Sequence, residues 1–304
     1  MTDIYPESLR GIPFLPGNFL DTPSPGSCFE TARVVVIPVP YDSTTSYRGG
    51  ARDGPRAIIA ASRQLEDFDL EFKGEISTVG IHTMPEIEAH LGDPRAMAQR
   101  VEDLVHPLAV MGKLVCLLGG EHSITIGSVK AFARVYSDLS VLYLDAHADL
   151  RQDYMGTSWG HASVARRVSE LCPLVQVGVR SLSEEEYKTI QEKMIPVFFH
   201  DGTKAMATVV DGVLPLLSTH VYVSVDLDVF DPSFMSAVGT PEPGGLGWGD
   251  VLGLLKKVGE NKSIVGFDIT ELSPREGPEA CAFLAAKLAY KLMGYATLLR
   301  QGET

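Results

Sequence analysis

Asp145, His147 and Asp149 in LDAHADL (144–150), with Asp226 and Asp228 in SVDLD (224–228), are the residues of this chain best suited to chemistry. In both stretches potential ligands recur at every second position, so on extended backbone they project to one side. Four carboxylates gathered in one place cannot all stay ionised without cations, because burial and mutual repulsion both oppose it. Two divalent ions would balance them formally. His122, which follows Gly119-Gly120, is placed to complete one site. The donors are oxygen and imidazole with no thiolate, which favours Mn2+, with Fe2+, Co2+ or Zn2+ as alternatives. Shared carboxylates would hold two ions at the ~3.5–4 Å spacing of two-metal hydrolases. A lone DxD at a strand end is more often a turn or cap than a ligand pair. Two such clusters together outweigh that plainer reading.

The elements that must position these residues are short apolar runs. RVVVIPV (33–39), KLVCLLGG (113–120), VLYLDAH (141–147), LVQVGV (174–179), HVYVSVDLD (220–228) and SIVGFDI (263–269) read as strands. Helical patterns at 55–65, 123–135, 161–171, 183–192, 203–217, 248–258 and 278–298 separate them. Apolar strands alternating with amphipathic helices predict an α/β fold, a three-layer α-β-α arrangement around a mostly parallel sheet. Gly-Gly-Glu-His, Asp-Ala-His-Ala-Asp, Asp-Leu-Asp and Asp-Ile-Thr-Glu each follow such a run, at the strand ends where open α/β sheets bind ligands. Residues 1–30, rich in proline and glycine, predict an extended N-terminal arm, and 31–304 a single catalytic domain.

Composition narrows the partners. The 304 residues are 45% hydrophobic and carry a net charge of −13. That balance argues against nucleic acid or an anionic membrane surface and suits a cationic small molecule. No window of ~20 apolar residues would span a bilayer. Four scattered cysteines without a CxxC pair imply a reducing compartment, and MTDIYPESLRG lacks the features of a signal peptide, so a cytoplasmic location is expected.

At GGEHS (119–123), DAHAD (145–149) and SVDLDVFDP (224–232) the sequence resembles the arginase/agmatinase (ureohydrolase) family. YDSTTSYRGGARDGPRAI (41–58), GTPEPGG (239–245) and GFDITELSP (266–274) extend the likeness, which runs from about Arg33 to the last helix. The resemblance implies an arginase-like fold with two Mn2+ per chain, ligated by His122, Asp145, His147, Asp149, Asp226 and Asp228. It further implies that Glu271 receives the substrate's guanidinium and that His161 shuttles protons. A carboxylate suits that planar cation, since the pair can be bidentate. Taken alone, Glu271 reads equally well as a neighbour of a helix cap and His161 as a capping or surface residue. Ser123 and Thr270 are expected to cap or orient the ligands. Three departures stand out: Glu121 where aspartate is usual, Ser236-Ala237 in place of proline-glycine, and Arg48-Gly49-Gly50 in the first loop.

The chemistry implied is hydrolysis of a guanidino group to urea and a primary amine, with Asp149 and His161 handling protons and Glu271 fixing the substrate plane. LRQDYMGTSWG (150–160) is similar to a group of bacterial agmatinases and should line the mouth of the pocket. Agmatine is thus the expected substrate, with Asp153 a candidate partner for its amine. Arg151 would instead welcome a carboxylate such as that of 4-guanidinobutyrate. Arginine and formiminoglutamate are further alternatives, as are a non-catalytic binding protein and a one-zinc deacylase of similar fold. The resemblance also implies a homotrimer or homohexamer.

Overall fold

A computed structural model describes residues 15–202 and 205–299. Its centre is an eight-stranded sheet formed by β1 (Val34–Val39), β4 (Ile81–Thr83), β5 (Leu114–Gly119), β6 (Leu139–Leu144), β7 (Leu174–Val177), β8 (Val197–Phe198), β9 (His220–Asp226) and β10 (Ser263–Thr270). The order across the sheet is β4-β1-β5-β10-β9-β6-β7-β8, and every pairing is parallel. A two-residue-per-strand antiparallel hairpin, β2 (Phe68–Asp69) with β3 (Gly74–Glu75), stands apart. Helices α2 (Pro94–Val110), α3 (Ile124–Ala133), α4 (Val164–Val168) and α5 (Glu184–Lys193) cover one face. The other is covered by α1 (Gly54–Ser62), α6 (Met206–Val213), α7 (Trp248–Asn261) and α8 (Ala280–Thr297).

The two cores follow from the period-two geometry of a strand. In β1, Val34 and Val36 enter one core while Val35, Ile37 and Val39 enter the other, all fully buried. A sheet buried on both sides therefore needs apolar residues at nearly every position, which is why its strands read as continuous runs. Helix α2 was not foreshadowed by the apolar pattern in the same way, having Pro107 inside and a polar face. Its signal in the sequence is Asp93-Pro94: the Asp93 side chain accepts from the backbone N–H of Arg95, and Pro94 opens the first turn.

The expected arm is partly body. Residues 1–14 lie outside the described residues, but Phe19 is fully buried in the core beside α1, with its N–H given to Thr83 Oγ1 and that of Leu20 to Ser62 Oγ.

β5, β10, β9 and β6 are the four neighbouring strands in the middle of the sheet, and they carry all four polar clusters at their C-terminal ends. Gly120 is the junction of three of these elements. Its N–H donates to Val39 O, its carbonyl accepts from Glu271 N–H at 2.8 Å, and Glu121 N–H donates to Tyr41 O at 2.7 Å. A Cβ built at Gly120 would lie 2.0 Å from the Tyr41 carbonyl oxygen, a backbone atom that cannot rotate away. Gly120→Ala is expected to lower stability by at least about 1–3 kcal/mol through forced backbone movement, and to displace His122 and Glu271 with it. Urea unfolding of the variant checks this, and an unchanged midpoint would contradict the crowding.

Candidate active site

The strands end sooner than the motifs do, so the turns beyond them set the geometry. β6 stops at Leu144, and Asp145–Asp149 form a loop in which Asp149 has φ +51°. β9 stops at Asp226, and Asp228 sits in a 3-10 turn (Leu227–Val229) whose first N–H groups are capped by Asp226. The every-second-residue argument assumed extended backbone throughout. Convergence is real but comes from these turns. Glu271, one residue past β10, has φ +66°. A left-handed conformation at a non-glycine residue costs about 1–3 kcal/mol and persists where surrounding bonds impose it. Here Asp149 O accepts from Arg166 N–H, the next N–H (Leu150) donates to the buried Glu186 carboxylate, and Glu271 Oε1 accepts from His122 N–H at 2.7 Å.

Two ligand groups result. His122, Asp145 and Asp226 form one, and Asp145, His147 and Asp228 the other, with the donor atoms of each group all within 4.8 Å of one another. Asp145 belongs to both. His122 Nδ1 lies 3.1 Å from Asp145 Oδ2 and 3.3 Å from Asp226 Oδ2, and His147 Nδ1 lies 2.9 Å from Asp228 Oδ2. Asp149 stands beside the first group, its Oδ2 3.7 Å from His122 Nδ1 and 2.7 Å from the hydroxyl of Tyr143, which donates to it. Tyr143, fully buried and stacked on His122 at 4.5 Å, was not singled out by sequence reasoning, because a tyrosine inside an apolar strand looks like core.

Behind His122 lies a second polar layer. Ser224 Oγ donates to Asp268 at 2.7 Å, so toward His122 Nε2, also 2.7 Å away, it acts as acceptor. His122 therefore carries hydrogen on Nε2 and turns Nδ1 toward the carboxylates, the arrangement a metal-binding imidazole requires. Asp268, with no exposure, also accepts from Tyr222 and Thr125. Thr270 Oγ1 donates to Val225 O, and Ser123 does not cap α3 but donates to Glu121.

The residues present fit two divalent ions. Asp145 Oδ2 is buried without a hydrogen-bond donor of its own, 3.1 Å from His122 Nδ1, while Oδ1 faces His147, so the carboxylate presents one oxygen to each group. Without cations the cluster must hold protons instead. Burial raises Asp226 and Asp149 well above the usual carboxylate range, and their acidic neighbours raise them further. Burial opposes charge on His147 and His122, but the surrounding aspartates outweigh it and keep both imidazoles protonated. Glu271 is pushed up to about 8 by burial and by Glu121, so it awaits a cationic partner. His161 is pushed down to about 4, chiefly by burial, and is neutral at pH 7.

A cavity of about 310 Å3 opens above the cluster, lined by His122, His147, Asp149, Asp226, Asp228 and Glu271 at its floor. His161, Arg151, Tyr154, Ser183 and Glu186 form its walls, with Tyr47 and Arg48 from the first loop. Arg151 lies over the Tyr154 ring at 4.9 Å and 4.0 Å from Glu186. Asp153 is exposed and does not line the cavity. Gly239 and Thr240 reach the cavity, whereas Ala237 turns away and its carbonyl anchors Ser273. No helix among the described residues is long and apolar enough to cross a membrane.

Comparison with known proteins matches residues 32–294 to the arginase family. The chain is 40% identical over 293 residues to the N(1)-aminopropylagmatine ureohydrolase of Synechocystis sp., covering 92% of this chain and 94% of that protein. It is 35% identical over 267 residues to the agmatinase of Pyrococcus horikoshii, covering 87% and 92%. The crystal structure of the agmatine ureohydrolase of Thermoplasma volcanium superposes with a TM-score of 0.86 at 32% identity, covering 96% of this chain and 97% of that one.

Because cations would replace protons held by this cluster, binding of Mn2+ should release protons. The carboxylates whose pKa values are raised compete with the metal below those values, so apparent affinity should rise with pH. Calorimetry in buffers of different ionisation enthalpy checks this. Uptake of metal without proton release would contradict the charge balance.

Proposed function

The chain belongs to the arginase family and is a ureohydrolase, and from that premise we propose that it cleaves the guanidino group of a polyamine precursor through a site holding two Mn2+. The observation that carries the reading is the pair of ligand groups sharing Asp145, set under a cavity whose floor also contains Glu271. His122, Asp145 and Asp226 would hold one ion and Asp145, His147 and Asp228 the other, with Asp149 adjoining the first. Divalent ions bound there would supply Lewis acidity and lower the pKa of a water enough for attack near neutral pH.

The chain's own residues do the rest. Glu271 meets the guanidinium as a carboxylate, since pairing with a cation lowers its raised pKa. Its position is fixed by the Gly120 and His122 backbone, so the substrate plane is fixed too. Asp149, oriented by Tyr143, accepts the proton that the attacking water gives up, and His161 exchanges protons between the leaving nitrogen and solvent.

For the tail, N(1)-aminopropylagmatine is the first candidate and agmatine the second. Proteins bearing the first name share 38–41% of aligned residues with this chain, those bearing the second 29–35%. The walls are compatible with a cationic tail, because Arg48 is paired with Glu276 at 3.0 Å and Arg151 with Glu186 and the Tyr154 ring. Urea release from N(1)-aminopropylagmatine, agmatine, arginine, 4-guanidinobutyrate and formiminoglutamate, run side by side, tests the proposal. The expected order places the two amine-tailed compounds first, and a preference for a carboxylate-bearing one would refute it. Glu271→Gln should lower kcat/KM at least about 30-fold, the equivalent of 2 kcal/mol for breaking a buried ionic contact. Retention of wild-type kcat/KM would remove Glu271 from the site.

A further inference from the structure

Glu121 is a fully buried carboxylate that no step above uses. Its Oε2 accepts the backbone N–H of Thr44 at 2.6 Å, and its Oε1 accepts the hydroxyl of Thr44, also at 2.6 Å, together with that of Ser123. Both carboxylate oxygens are filled by hydrogen-bond donors, and among the described residues no cation stands within ion-pair distance of them. The carboxylate is thus spent almost entirely on Thr44 and Ser123.

Thr44 Oγ1 has a single proton, and it points to Glu121. Every other contact of that oxygen must then be one in which it accepts. The backbone N–H of His161 donates to it at 3.0 Å, and His161 Nδ1 lies 3.3 Å away. With the threonine proton committed elsewhere, Nδ1 has to be the protonated ring nitrogen. Nε2 then holds the lone pair, 3.3 Å from Ser46 Oγ at the cavity wall. The packing leaves little freedom for a different arrangement: a Cβ on Gly160 would lie 3.0 Å from Thr44 Oγ1 and 3.2 Å from Thr44 Cβ.

We propose that Glu121 and Thr44 are positioning residues that lock His161 as the Nδ1–H tautomer, so that it can take up and release a proton only at Nε2, on the cavity side. The inference rests on the reading of His161 as the proton carrier. The transfer balances simply: Nε2 gains a proton from water, giving an imidazolium, and loses it to the leaving nitrogen, restoring the same tautomer. The extra methylene of glutamate has a purpose in this scheme, since one carboxylate must reach both the N–H and the hydroxyl of Thr44.

Glu121→Gln is a sharp probe because it is isosteric. The amide oxygen must occupy the Oε2 position to accept the Thr44 N–H, which puts the NH2 group where Oε1 was. That group donates to Thr44 Oγ1, the threonine proton swings to His161 Nδ1, and the ring proton moves to Nε2. Ring 15N spectra of the metal-free protein, with His161→Ala to identify the signals, should show Nδ1–H in the wild type and Nε2–H in Glu121→Gln. In the Mn2+-loaded enzyme kcat should fall about 10²-fold, the scale of a lost general acid–base contact, with KM nearly unchanged. Adding His161→Ala to Glu121→Gln should cost nothing more. Thr44→Val should reproduce the loss and Thr44→Ser should restore most of the rate, which keeps the test decisive if Glu121→Gln fails to fold. A ring that keeps Nδ1–H in Glu121→Gln, or losses that simply multiply with His161→Ala, would overturn the lock alone. Wild-type kcat in His161→Ala would sink the proposal through the reading it rests on, whatever the ring spectra show.

Discussion

Everything in this molecule is arranged around carboxylates largely withdrawn from water at the floor of one cavity. Asp145, Asp149, Asp226 and Asp228 are all buried, and Asp145 and Asp228 each face a histidine and another acid. Charges of one sign at this density oppose folding unless something compensates them. Protons on the two histidines do so partially, and two divalent ions would do so fully. The sheet order follows from the same demand. Placing β5, β10, β9 and β6 side by side lets four chain segments, distant in sequence, deliver short acidic turns to one point. Asp268, two residues before the end of β10, extends the polar layer inward, where three hydroxyls hold it in place of a cation.

Fixing such a cluster requires backbone that ordinary strands cannot provide. Asp149 and Glu271 adopt left-handed conformations, each at a site residue and each tied down on both sides by hydrogen bonds to neighbouring loops. The strain is borne by the parallel core beneath, whose strands are buried on both faces and tolerate little displacement. Gly120 has a complementary role. Only a residue without a side chain lets β5 end against the Tyr41 carbonyl closely enough for Glu271 to hang from its own carbonyl.

Much of this was legible in the sequence, for a physical reason. A strand buried on both faces is almost wholly apolar, so Asp, His and Glu at its end stand out without any knowledge of the partner strands. Hence His122, Asp145, His147, Asp149, Asp226 and Asp228 could be named in advance from the residues, and Glu271 from the family resemblance, and the structure gathers them in one place. What stayed hidden are groups whose role depends on direction. Tyr143 is indistinguishable from core until its hydroxyl is seen beside Asp149, and Thr44 is one of several small polar residues in a loop. Asp153, in the expected segment, is exposed and is not among the residues lining the cavity. The polar helix α2 and the brief edge strands β4 and β8 fall below what an apolar period can report.

The floor and the walls of the cavity obey different rules, and this explains why the reaction is easier to read than the substrate. The floor binds a group common to every guanidine, so its residues are constrained by charge and by strand ends. The walls come from five segments: 45–48, 151–154, 161–162, 181–186 and 239–240. Their charges are already engaged with one another, Arg48 with Glu276 and Tyr47, Arg151 with Glu186 and Tyr154. Selectivity for a tail is therefore a difference between two sets of contacts, those a ligand makes and those it displaces. A cationic tail can compete with Arg151 for the Tyr154 face and the Glu186 carboxylate, and displacing the arginine leaves its charge free to turn to solvent. A carboxylate tail must instead draw Arg151 away from Glu186 while lying above a floor crowded with acids. The balance of those exchanges is set by pairs of loop residues rather than by any single motif.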